Sequence, residues 1–283
     1  MEKVSVACIF FSYVMAVVFA FLRLRGRSIV YRWTTLLMTM AGFVANTIYL
    51  VVRSRNAALP PLLASMHDWI LVVAWVAILL YLFLTILDSE LPLGVFVLPL
   101  VLILVAVSPL VGLEPNAPGQ LDPYRGWLML HAALLVFGMV GVAGSLILAM
   151  MYLVQHRRLK RRQGMQTGVH LPSLPRLARW NRLAVVVSVP TLTLGMLAGV
   201  LLGQNQLLLD VVSDPIVIGS GIGWLVMVSF FLWLLSTTRP AEKQVAMLTV
   251  WACGFLLLTI VGLQVVSGGH QMGPAQAAAK RSA

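Results

Sequence analysis

Charged side chains are scarce in this chain of 283 residues, because only 10% are Asp, Glu, Lys or Arg. A soluble domain carries about a quarter. Hydrophobic residues make up 60% of the chain, more than one compact soluble core could bury. The composition therefore favours the lipid bilayer as solvent. The apolar runs last for about twenty residues without the alternation of barrel strands, which predicts an all-α polytopic membrane helix bundle.

Cysteines are also few. Cys8 and Cys253 stand far apart and form no CxxC pair, so neither thiol–disulfide exchange nor covalent haem attachment is signalled. We interpret both as small apolar core residues. The net charge of +11 does not indicate nucleic-acid binding, because the basic residues lie between hydrophobic runs, where cytoplasmic loops keep them.

Eight apolar runs predict about eight transmembrane helices: residues 4–22, 33–52, 69–87, 91–112, 127–154, 183–203, 215–235 and 245–266. Fourteen of the 20 lysines and arginines follow the first, fifth and seventh runs, which predicts a multi-pass protein with both termini outside. We expect one membrane domain over 1–271 and a disordered tail over 272–283. The basic loop predicted at 155–182 would attract anionic membrane lipids.

Ionisable residues are missing from the middle of these runs: no Asp, Glu, Lys or Arg lies deep within a predicted helix. This argues against a small-solute transporter driven by protons. The sequence also presents no carboxylate pair and no nucleophile triad, so it does not predict an enzyme.

Histidines are therefore the informative residues. His67, His131 and His270 fall near the predicted outer face, and His156 and His170 fall in the basic loop. Neutral imidazole is a good axial ligand of haem iron. His131 lies about one turn inside an apolar run, where a histidine that is merely hydrogen-bonded is an equally open interpretation. The role of His67 is also open.

Several segments, in order, carry a family resemblance: Trp127–Gly138 (WLMLHAALLVFG) running on to Met151–Leu153, Leu171–Leu177 (LPSLPRL), Thr191–Gly195 (TLTLG) with Gly199, and Ser213–Pro215 with Trp224. Together they resemble the cytochrome c assembly family of CcsA/ResC-like proteins over nearly the whole chain. The resemblance implies a multi-pass protein of a bacterial-type inner (cytoplasmic) membrane that handles haem at the outer face during c-type cytochrome assembly. It implies a non-covalent b-type haem with His131 and His270 as axial ligands of the iron, and other cytochrome c maturation proteins as partners.

Two departures from the family pattern narrow this interpretation. The tryptophan-rich WWD segment is absent, and Asn46 stands where relatives often carry a histidine. Since Asn is not a normal haem-iron ligand, the resemblance points to the short HemX/YpjD-like branch rather than to the haem-lyase synthases. The alternative is a non-catalytic membrane scaffold or regulator, which would hold no haem and would bind partners through its basic loop.

Overall fold

A computed structural model describes residues 2–25, 29–57, 60–88, 93–111, 125–160, 173–203, 215–237 and 241–259. These residues form helices without any strand, which confirms the all-α prediction. In chain order the helices are α1 (Glu2–Arg25), α2 (Ile29–Ala57), α3 (Pro61–Ala64), α4 (Met66–Leu87), α5 (Gly94–Val107), α6 (Arg125–Lys160), α7 (Leu174–Gly203), α8 (Pro215–Ser236) and α9, which is described over 242–259. A 3₁₀ turn, Ser108–Leu110, continues α5.

Six of the described helices are long and apolar enough to cross a membrane: α1, α2, α4, α6, α7 and α8. Helix α5 is apolar but shorter, with 14 residues before its 3₁₀ turn. The protein is therefore a multi-pass membrane protein built as a helical bundle.

Several helices extend beyond the apolar runs that predicted them. Helix α2 continues to Ala57 and so includes Arg53, which the sequence placed after the helix end. Helix α6 reaches Lys160 and α7 begins at Leu174, so the loop predicted at 155–182 is wrong in its bounds. Arginine and lysine are good helix formers whose charged ends reach polar surroundings, so a helix does not end where its hydrophobicity ends. At 36 residues α6 is about 54 Å long, well beyond a hydrocarbon core of about 30 Å.

The helices pack around two apolar cores. Helices α1, α2, α4 and α5 surround one apolar core, centred on fully buried residues such as Tyr13, Leu71 and Leu98. Helices α6 to α9 surround a second, which includes Val185, Met227 and Leu256. Parts of α6, α7 and α9 contribute to both cores, so these three helices connect the two halves of the bundle.

Helices α6 and α7 form a close antiparallel hairpin, which glycines make possible. A Cβ on Gly138 would lie 2.6 Å from Leu192 of α7, and one on Gly141 would lie 2.7 Å from Ser188. Neither contact leaves room for a side chain, so the backbones approach more closely here than larger residues allow.

Polar contacts join α9 to this hairpin. The Ser145 hydroxyl lies 3.3 Å from the Cys253 sulfur, and the Asn181 amide donates to Thr249 at 3.3 Å. Cys253 is buried, as predicted, but Cys8 is exposed on the protein surface, so its assignment to the core was wrong. Position 8 lies on the face of α1 that no other described helix covers, and an apolar run alone does not tell the two faces apart.

Candidate functional site

His131 lies on α6, six residues after Arg125 and so about 9 Å from the helix start. Its Nδ1 lies 2.7 Å from the backbone oxygen of Gly195 on α7. A carbonyl oxygen only accepts, so Nδ1 carries the proton and donates. The other ring nitrogen, Nε2, has no hydrogen-bond partner within the described part of the chain. The side chain is half-buried, so Nε2 offers its lone pair at an accessible position.

Two glycines of α7 form a cradle for the segment of α6 that carries His131. A Cβ on Gly199 would lie 2.6 Å from His131 Cε1 and 3.0 Å from its Nδ1. A Cβ on Gly195 would lie 3.1 Å from Leu135 and 3.3 Å from the Leu134 side chain. The His131 ring can lie against α7 at this position only because Gly199 has no side chain, while the missing side chain at Gly195 gives room to Leu134 and Leu135.

Helix α8 is fixed to α7 beside this cradle. Trp224 Nε1 donates to the hydroxyl of Thr193 at 3.1 Å, and that hydroxyl donates in turn to the backbone oxygen of Val189. The Thr193 hydroxyl therefore accepts a hydrogen bond from α8 while it donates one to the backbone of its own helix. The contact lies two residues from Gly195, so α6, α7 and α8 are all held near His131.

His67 has a different environment, although its Nδ1 also donates to a backbone carbonyl. It is fully buried in the first turn of α4. Its Nδ1 donates to the Ser108 backbone oxygen at 2.8 Å, and its Nε2 accepts from the Tyr49 hydroxyl at 3.0 Å. Both ring nitrogens are engaged, so His67 offers no lone pair to a metal and instead joins α2, α4 and the end of α5.

An ion pair lies beside His67. Arg53 of α2 pairs with Asp68 of α4, and both side chains are almost fully buried. The second carboxylate oxygen of Asp68 accepts from the Ser65 hydroxyl at 2.8 Å, and Ser65 also caps α4 by accepting from the Asp68 N–H. Sequence reasoning missed this pair because the helix seemed to end before Arg53. The Ser65-x-x-Asp68 spacing, a helix-start pattern, was the available signal.

The remaining predicted residues are distributed elsewhere. His270 and His170 lie outside the described residues. His156 stacks on Tyr152, with ring centroids 6.1 Å apart, near the other end of α6 from His131. Asn46 is fully buried, and its amide donates to the Leu71 backbone oxygen at 3.3 Å.

Comparison with known proteins identifies the family. The family model described as cytochrome C assembly protein matches residues 63–270, well over half of the chain. The chain belongs to this family. Searches of curated proteins and of solved structures gave no match. Membership gives the chain a role in c-type cytochrome biogenesis, and the matched segment includes both His131 and His270.

The site can be tested for its fit to haem, the cofactor that this family implies. Among the described residues, no group of three or more His, Cys, Asp or Glu could hold a bare metal ion. Haem iron needs only axial ligands from the protein, because the porphyrin supplies the other four. His131, with one nitrogen oriented by a carbonyl and the other without a partner, matches that donor chemistry.

Proposed function

We propose that this cytochrome c assembly protein handles haem, with His131 as an axial ligand through Nε2. The observation that supports the proposal is the His131–Gly195 hydrogen bond of 2.7 Å, which fixes the tautomer that leaves Nε2 unprotonated. Haem-ligating and metal-ligating histidines commonly donate their other N–H to a carbonyl or a carboxylate, which orients the ring and makes it more basic. His67, in contrast, has both ring nitrogens engaged by protein groups.

The proposal extends to the second ligand and to the location. We assign the other axial position to His270, the last residue of the family match. We place the site at the outer face on the basis of the distribution of basic residues, and in a bacterial-type inner membrane on the basis of the family. Bound haem would be b-type and non-covalent, passing to or from other maturation proteins as cargo. Its iron would accept the Nε2 lone pair, and the chain's own contribution is to bind and orient it.

A haem titration of the purified protein in mild detergent tests this proposal. The His131→Ala variant is compared with His156→Ala, a matched control that removes a histidine near the other end of the same helix. We expect wild type and His156→Ala to give a Soret band typical of imidazole-ligated haem. We expect His131→Ala to bind haem at least about tenfold more weakly, because it has lost an axial ligand. An unchanged band in a folded His131→Ala variant would overturn the proposal.

A second candidate function, a scaffold without haem, is favoured by a different observation. The ends of α6 and α7 that adjoin the undescribed segment 161–172 carry basic side chains that are exposed or half-exposed: Arg157, Arg158, Lys160, Arg176, Arg179 and Arg182. Neutralising Arg157 and Arg158 together would abolish co-purification of a partner if that function holds. If co-purification is instead lost in His131→Ala, haem handling is the function that recruits the partner.

A further inference from the structure

One face of α7 is apolar and exposed along most of the helix. Its exposed side chains recur at helical spacing, which places them on one side of α7: Leu183, Val187, Leu194, Leu197 and Leu201. From Leu183 to Leu201 this α7 stripe is about 27 Å long, close to the thickness of a hydrocarbon core of about 30 Å. The α7 stripe is therefore the surface of this helix that contacts lipid chains.

Two arginines continue the α7 stripe toward the end of the helix that begins at Leu174. Arg182 immediately precedes Leu183, and Arg179 lies about one turn before it. Both arginine side chains are exposed, and neither has an ion-pair partner among the residues that the structure describes. Residues at this spacing on a helix have Cβ atoms about 5–6 Å apart, so the two guanidinium groups reach a common ligand.

The packing of α7 against α6 gives the depth of this arginine pair. Gly141 of α6 lies beside Ser188 of α7. Because the two helices are antiparallel, Arg179 lies level with Met150 of α6. Met150 is apolar and exposed, so α6 still faces lipid at that level. The exposed Arg157 lies about 10 Å further along α6. The arginine pair is therefore placed where lipid chains meet headgroups, and not in the solvent beyond them.

The chemistry of the arginine pair matches a phosphate group. Guanidinium N–H groups fit phosphate oxygens in geometry as well as in charge. The first turn of α7 carries no acidic residue. Asp88, a carboxylate in contact with α7, is already paired with Arg176 at 2.9 Å. Within the described part of the chain, the charges of Arg179 and Arg182 are thus left for an anion from outside the protein.

We propose that Arg179 and Arg182 bind the headgroup phosphate of an anionic phospholipid, whose acyl chain lies along the α7 stripe from Leu183 onwards. The adjoining apolar surface favours a lipid over free phosphate, because only a lipid occupies the charged and the apolar parts together. Two positive charges favour an anionic headgroup over a zwitterionic one, whose own cation offsets its phosphate. A lipid held there fixes the depth of α7, the helix that carries Gly195 and Gly199, and its binding does not depend on haem.

Lipid binding to the full-length protein tests the site. Wild type in neutral detergent is titrated with phosphatidylglycerol, with phosphatidylcholine and, separately, with inorganic phosphate. The thermal unfolding midpoint is recorded, and retained lipids are counted by native mass spectrometry. The variant is Arg179→Gln/Arg182→Gln. The matched control is Arg157→Gln/Arg158→Gln, which removes the same charge from the same end of the α6–α7 hairpin but further from the bilayer centre.

We expect phosphatidylglycerol to be retained by wild type and by the control variant and to raise their midpoints, and phosphatidylcholine to do so much less. Arg179→Gln/Arg182→Gln should need at least about tenfold more phosphatidylglycerol for the same shift, because it has lost charged hydrogen-bond donors to the phosphate. An equal loss in both double variants would show a diffuse attraction to the basic end of the hairpin and overturn the proposal. So would a wild-type response in Arg179→Gln/Arg182→Gln, or an equal midpoint shift with inorganic phosphate.

A conservative variant keeps the test decisive if the Gln variant does not fold. Arg179→Lys/Arg182→Lys retains both charges but replaces the planar guanidinium groups with point charges. It should fold and bind phosphatidylglycerol with an affinity between those expected of wild type and of the Gln variant. Wild-type affinity in the Lys variant would contradict recognition of the phosphate by the guanidinium groups.

Discussion

The Gly199→Ala substitution offers the sharpest test of the proposed haem ligand, because it leaves His131 in place and changes only its position. A Cβ at residue 199 would lie 2.6 Å from His131 Cε1 and 3.0 Å from Nδ1. Carbon atoms in contact stay roughly 3.5 Å or more apart. The ring must therefore move by about 1 Å, since the helix backbone behind Gly199 is held by the close α6–α7 packing.

That displacement has a calculable effect. The His131–Gly195 hydrogen bond is 2.7 Å long, so a ring that moves by about 1 Å leaves the range of a hydrogen bond. Losing the bond costs about 1 kcal/mol, and overpacking adds about 1–3 kcal/mol. The variant should unfold at a lower temperature. Its haem affinity should fall about 10- to 100-fold, as when an orienting partner of a metal-bound histidine is removed.

Haem titration and thermal unfolding in detergent measure both effects. Gly221→Ala on α8 is the control, because a Cβ there meets nothing within 4 Å. It should bind haem like wild type and be as stable or slightly more so, since alanine favours a helix over glycine by about 1 kcal/mol. A Gly199→Ala protein that is folded and binds haem with unchanged affinity would refute the argument that this glycine positions the ligand.

Three further predictions concern the buried polar contacts. Asp68→Ala should cost about 3–5 kcal/mol of stability, because it leaves the Arg53 charge buried without its Asp68 partner. The double variant Arg53→Met/Asp68→Leu should recover most of that loss, as measured by thermal unfolding. His67→Ala should cost about 2–4 kcal/mol through two lost hydrogen bonds and a cavity, yet leave the haem spectrum unchanged. Trp180→Phe removes one donor to Asp88 and should cost only about 1 kcal/mol, since Arg176 still pairs with that carboxylate at 2.9 Å.

Each of these predictions can fail in a specific way. A double variant as unstable as Asp68→Ala alone would mean that the Arg53–Asp68 ion pair stabilises the protein by more than the mutual neutralisation of its two buried charges. Loss of the Soret band in a folded His67→Ala variant would make His67 a haem ligand and contradict the assignment of both its nitrogens. A loss of several kcal/mol in Trp180→Phe would show that the indole, and not Arg176, holds α7 to the end of α4.

The fold class followed from hydrophobicity alone, because the bilayer leaves a chain with continuous apolar runs few structures other than a helical bundle. Each long helix that the structure describes contains one of the eight predicted runs or most of it. The helix ends were predicted less well. Arg53 is the instructive case, since a buried arginine is compatible with a membrane helix only when a partner such as Asp68 lies on a neighbouring one, and that neighbour is a tertiary fact.

The match to the family model confirms the family that the sequence resembled. For the candidate site, the sequence by itself singled out His131, a histidine in an apolar run within a segment that resembles the family. It left open whether the ring is a ligand or a structural hydrogen-bonded residue. The tertiary structure separates His131 from His67 on this point, because one has a nitrogen to offer and the other has none. That difference depends on which backbone carbonyls and hydroxyls neighbouring helices bring to each ring, and helix packing sets those contacts across long separations in the chain.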